Sequence, residues 1–136
     1  MIRLHMKNPV GWFEIPVQDM DRAKKFYGEL LGLPFEYLTI EGSDVKMLAF
    51  PMQPEAPQAT GALVHGPGYS PSLDGVVIYF TAAELEAMLE KVPELGGEVL
   101  LPKTDIGEHG FMAHIKDTEG NRVALHRVKT DEEKSE

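Results

Sequence analysis

The sequence predicts an α+β protein built from two βαβββ modules. Two observations carry that expectation: a strand that turns directly into a helix occurs twice, and each of those helices is followed by three strand-like runs. A βαβββ unit on its own leaves its sheet and the apolar stripe of its helix uncovered, so the two halves are expected to pack together.

The first module, residues 11–66, opens with GWFEIPV, in which Phe13, Ile15 and Val17 alternate with the residues between them. From Asp19 the period becomes helical, with Ala23, Phe26, Tyr27, Leu30 and Leu31 recurring at spacings of three and four. Asp19 is a suitable N-cap, and Gly32 suits the position just past the last turn. The runs FEYLTI from Phe35, VKMLAFP from Val45 and ALVHG from Ala62 read as strands. They are separated by the turn EGSD and the Pro-rich loop MQPEAPQATG. A linker at 67–74, within GPGYSPSLD, leads to the second module, residues 75–128.

That module opens with GVVIYF and continues into TAAELEAMLEKVPELGG. Thr81 and Glu84 have the spacing of a capping box, Leu85, Met88, Leu89 and Val92 form the buried stripe, and Gly96 with Gly97 end the helix. Pro93 is expected to kink its last turn. GEVLLP from Gly97, GFMAHI from Gly110 and RVALHRV from Arg122 read as strands, the last two joined by the turn DTEGN. Residues 1–10 are read as an N-terminal extension and 129–136 as a disordered charged tail.

Composition narrows the function. The 136 residues, 43% hydrophobic, suffice for one domain with a real core. No apolar run is long enough to cross a membrane and MIRLHMKNP lacks a secretory core, so the expectation is a cytoplasmic protein. There is no cysteine, which removes disulfides, thiolate nucleophiles and Cys-based zinc sites. A formal charge of −9 disfavours nucleic acid and anionic membranes as partners and makes a neutral or cationic small molecule electrostatically easier. No phosphate loop, dinucleotide fingerprint or serine nucleophile motif is present.

The segments VQDMDRAKKFYGELLGL, LEKVPELGGEVLLPKTDIG and KDTEGNRVALHR, set on two such modules, resemble the vicinal oxygen chelate (VOC) superfamily. That superfamily includes glyoxalase I, bleomycin resistance proteins, fosfomycin resistance enzymes and extradiol dioxygenases. The stretch GGEVLLPKTDIGEHGFMAHIKDTEGNRVALHR is similar in particular to the branch related to lactoylglutathione lyase, and the resemblance extends from Gly11 to Val128. It implies a curved mixed sheet around a cavity, helices outside, and chains that pair as homodimers. It does not fix a reaction, because this scaffold hosts several chemistries as well as binding alone.

The resemblance also implies a divalent metal held by His, Glu or Gln at four strand positions. Here those positions are Trp12, Gly61 or Ala62, Gly75 or Val76, and Ala124, none of which donates to a cation, and Asp74 is the only nearby carboxylate. No metal cofactor is therefore expected. The same register turns Glu14 and Pro16 inward beside Trp12, and Arg122 and His126 inward beside Ala124.

Glu14 and His126 are accordingly the candidate catalytic pair, able to move a proton or orient a ligand; the alternative is a structural salt bridge, or Glu14 paired with Arg122 or Arg127. Candidate ligand-binding residues are Trp12, Glu14, Arg122, His126, His114 and Tyr69. Trp12 offers a stacking surface or fills the space of a lost metal. The segment KTDIGEHGFM reads as a surface connection at the cavity mouth, with a lid as its alternative. The resulting expectation is a VOC protein that binds a small organic molecule between its modules without an essential metal. One alternative is a glyoxalase-like lyase or isomerase, working through Glu14 and His126 or through a metal on displaced ligands including His114 or His65. The other is a non-catalytic regulatory or interaction module.

Overall fold

A computed structural model describes residues 8–135 of the chain. The first module consists of β1 (Trp12–Pro16), α1 (Met20–Leu31), β2 (Glu36–Leu38), β3 (Lys46–Ala49) and β4 (Thr60–His65). The second consists of β5 (Tyr79–Thr81), α2 (Leu85–Glu94), β6 (Glu98–Asp105), β7 (Phe111–Lys116) and β8 (Arg122–Arg127). A short helix α3 (Asp131–Lys134) follows. Each module forms its own four-stranded sheet, ordered β1-β4-β3-β2 and β5-β8-β7-β6. In each, the strand before the helix runs parallel to the last strand and the remaining pairs are antiparallel. The sheets do not close on one another, since among the described residues no ladder joins β1 to β5.

Helix α1 begins and ends where its sequence places it. The Asp19 side chain accepts from the Arg22 amide, and Gly32 takes the left-handed conformation at φ 66°. The start of the second module differs from the reading above. Only Tyr79–Thr81 of GVVIYFT form a strand, and Thr81 belongs to β5 rather than to a helix cap. Glu84 is the N-cap residue of α2 and its side chain makes no capping bond. The cause is tertiary: Thr81 pairs with His126 and the Ala82 amide donates to the His126 carbonyl, so the strand runs on past the capping-box position. Pro93 lies one residue from the end of α2 and removes only its own N–H bond, while the amides of Leu95 and Gly97 still donate to the Lys91 and Val92 carbonyls. The charged tail is also corrected. Thr130 and Glu133 form a reciprocal capping box that starts α3, and Arg127 grips the Glu133 carboxylate.

One apolar core crosses the modules. Ile15, Phe26, Tyr27, Leu48 and Leu63 of the first pack with Val92, Ile115 and Val123 of the second. A buried polar seam runs beside it. The Tyr27 hydroxyl donates to Asp117 at 2.5 Å, the Asn121 amide donates to the Pro16 carbonyl, and Arg22 pairs with Glu119. Glu119 in turn accepts from the Gln18 and Asp19 amides, so the turn DTEGN is bolted to the N-terminus of α1. No helix of the described residues is long and apolar enough to cross a membrane.

Candidate functional site

Alternation sorts the side chains of each sheet onto two faces. Phe13, Ile15, Leu63, Phe80, Ile115, Val123 and Leu125 enter the core with the helices. Their neighbours therefore occupy the opposite, open face: Trp12 and Glu14 on β1, Tyr79 on β5, His114 on β7, and Arg122, Ala124 and His126 on β8. The N-cap residues Asp19 and Glu84 give the correspondence between modules, which sets Glu14 against Tyr79 and Trp12 against Val77. The pairings Glu14↔Ala62 and Tyr79↔Ala124 agree. Val77 thus replaces Gly75 or Val76 as the counterpart of Trp12.

On the first sheet the Trp12 indole N–H donates to Glu14 Oε2 at 3.3 Å, and the Tyr69 hydroxyl donates to Glu14 Oε1 at 3.2 Å. The adjacent Glu14 carboxylate holds the Tyr69 phenol above its usual pKa. Trp12 remains 38% exposed, so its ring does not fill the core.

On the second sheet, Arg122 Nη1 lies 3.2 Å from His114 Nδ1, and His114 Nε2 lies 2.9 Å from the Tyr79 hydroxyl. A guanidinium only donates, so Nδ1 accepts, the imidazole proton sits on Nε2, and the Tyr79 oxygen receives it. The Tyr79 O–H is left free to donate outward from a ring that is 51% exposed. Burial and the neighbouring Arg122 charge both press the His114 pKa below the ordinary histidine value. The linker joins the two clusters, since Tyr69 reaches Glu14 while the Leu73 carbonyl accepts from Arg122 Nε at 3.2 Å. The four-residue step from Tyr69 to Leu73 spans no more than about 14 Å of extended chain.

The proposed acid–base pair is divided between these surroundings. Glu14 is bonded to Trp12 and Tyr69, whereas His126 Nε2 donates to the His109 carbonyl at 2.6 Å. His65 Nδ1 donates to the Val17 carbonyl and serves the backbone. Sequence reasoning passed over Tyr79. Its one signal was position, since it is the counterpart of Glu14 and the partner of Ala124. The segment KTDIGEHGFM is a tied-down hairpin: β6 continues to Asp105, whose carboxylate accepts from the Gly107 amide and pairs with Lys129.

The described residues do not fit a divalent metal. Among the described residues no three His, Asp or Glu side chains group so as to hold one. The positions inherited by resemblance are Trp12, Ala62, Val77 and Ala124. His114 does pair with Ala124, but Arg122 and Tyr79 engage both of its nitrogens.

A cavity of about 1090 Å³ is an open groove with Tyr79 in its lining. It runs between the end of α1, the Pro-rich loop and α2, over Phe13, Phe50 and Phe80. Its origin is a broken pseudo-symmetry. The turn DTEGN of the second module packs on α1, whereas the first module has the longer loop at 50–59 in the matching place, and this leaves α2 partly uncovered.

Comparison with known proteins agrees with this architecture. CFP32 of Mycobacterium bovis is 30% identical over 127 residues, covering 85% of this chain and 44% of the relative. The chain thus spans about half the length of the first curated relatives it matches. The solved structure of TnmS3, an antibiotic binding protein from Streptomyces sp. CB03234, superposes with a TM-score of 0.61 at 26% identity over 92% of this chain and all of that one (100%). The trypanothione-dependent glyoxalase I of Leishmania major superposes with a TM-score of 0.70 at 20% identity, over 95% and 93% of the two chains, and shares the fold. Residues 10–125 match the model of the Glyoxalase/Bleomycin resistance protein/Dioxygenase superfamily, and with two βαβββ modules in the order that the resemblance implied, the chain belongs to that family.

Proposed function

We propose that this protein binds a small, largely planar organic molecule on the open face of its two sheets, without an essential metal. The observation that carries the reading is a substitution of chemistry. Where resemblance places cation ligands, the chain has an accessible indole, apolar side chains too small or inert to coordinate, and two hydrogen-bonded clusters around them. An indole ring supplies stacking area at low entropic cost, while Glu14, Tyr69, Tyr79 and Arg122 supply polar groups that fix orientation. The similarity to an antibiotic binding protein supports binding as an endpoint in itself.

Trp12 is the only tryptophan, so its fluorescence reports on the site directly. Titration with planar aromatic probes of either charge, ethidium and 2-naphthoate, is expected to change that emission saturably for at least one of them. Protein purified without chelator is expected to carry far less than one equivalent of zinc, nickel, iron or manganese. A flat response to both probes, or a stoichiometric metal, overturns the proposal.

A further inference from the structure

Resting on that reading, we infer that Arg122 and Tyr79 form a subsite for an oxyanion, so the preferred ligand carries a carboxylate or equivalent group on its apolar body. The argument starts from pairing. The chain carries a formal charge of −9, and the other arginines of the described residues are taken up by carboxylates, Arg22 by Glu119 and Arg127 by Glu86 and Glu133. Arg122 forms no ion pair among the described residues. Its contacts are a carbonyl at Nε and an imidazole nitrogen at Nη1, both neutral acceptors. Those two bonds fix the guanidinium plane and leave N–H donors of Nη1 and Nη2 for a ligand.

The neighbouring groups point the same way. Because Arg122 forces the His114 proton onto Nε2, the Tyr79 oxygen is already receiving a hydrogen bond and its own proton is turned outward. An oxyanion lying against Arg122 is therefore met by charge-assisted donors, with Ala124 alongside and no acidic side chain in the cluster, and the hydroxyl donor of Tyr79 stands beyond the His114 ring for a ligand that reaches across it. Tyr79 also lines the groove, which offers apolar space beside β5. Glu14, on the first sheet, disfavours a second anionic group and suits a ligand that is neutral or cationic at its far end.

The test compares 2-naphthoate with its neutral isostere 2-naphthamide by isothermal titration calorimetry at neutral pH and physiological salt. The carboxylate is expected to bind at least about tenfold more tightly. Arg122→Met is expected to abolish that preference, and Tyr79→Phe, which keeps the ring and its β5 pairing, to lower naphthoate affinity about three- to tenfold. Equal binding of the two probes, or a preference that survives Arg122→Met, overturns the inference and leaves the proposed function standing. Failure of both probes to bind overturns the inference, and the proposed function falls with it where ethidium also leaves the Trp12 emission unchanged.

Discussion

At the scale of single residues, the chain Arg122–His114–Tyr79 is a case in which one side chain sets the protonation of the next. An imidazole flanked by a guanidinium keeps a bond to it only while Nδ1 is bare, so the neutral form is favoured in the folded protein. The sign for stability follows. The unfolded state takes up a proton near pH 6.5 and the folded state only at lower pH, so stability present above that value declines as the pH falls through it. In NMR titration, His114 is expected to protonate below the ordinary histidine range, and Arg122→Met to move it upward. A His114 that titrates identically in both proteins contradicts the arrangement. That Trp12 shares a face with Glu14, and Arg122 with Ala124, was legible in the sequence because alternation fixes a strand's faces once one residue is placed. Tyr79 was not, because GVVIYF reads as a longer strand and its pairing with Ala124 depends on β8, over forty residues away.

Among elements, the helices were the most legible and their junctions the least. Asp19 and Gly32 act through local hydrogen bonding and conformation, which sequence encodes directly. The Thr81–Glu84 spacing encodes a cap equally well, but ladder bonds to His126 hold Thr81 in β5. The tail differs, since the Thr130–Glu133 spacing encodes its turn locally, and Arg127 of β8 then binds Glu133. Arg127, 9% exposed, lies over the Phe111 ring and binds Glu86 of α2 and Glu133 of α3, so one guanidinium ties three elements together. Its hydrogen bonds, with a further one from Lys103 to Glu86, hold the Glu86 and Glu133 carboxyls at about 2. Both folded values lie below the ordinary 4.5, so this contribution is intact above that pH and is lost as the pH falls toward 2. Arg127→Met is expected to lower the thermal midpoint at pH 7 and to flatten its fall between pH 5 and pH 3. A midpoint with unchanged pH dependence rules the clamp out.

For the molecule as a whole, the two-module plan was readable from the repeat, while the placement of the modules was not. A period in sequence says that two units resemble each other, and nothing in it says whether β1 and β5 share a ladder. What joins them instead is the core shared by Phe26, Tyr27, Val92, Ile115 and Val123, together with the seam of Tyr27, Asp117, Asn121 and Glu119. Asp117 accepts from the amides of Glu119 and Asn121, from the Asn121 side chain and from Tyr27, so every part of that seam bears on one buried carboxylate. Tyr27 contacts it from the other module, and burial with the Asp117 charge drives the Tyr27 phenol well above its ordinary pKa, so the hydroxyl stays a donor. Tyr27→Phe removes that donor without changing the ring, at an expected cost of about 1–3 kcal/mol. Because the seam and core belong to both modules, the loss is expected to be global. Native-state hydrogen exchange at low denaturant should report the same reduction in opening free energy for amides of β4 and of β8. A drop confined to the first sheet, or two separate unfolding transitions, means instead that each module stands alone and that the open face is assembled from two independently moving halves.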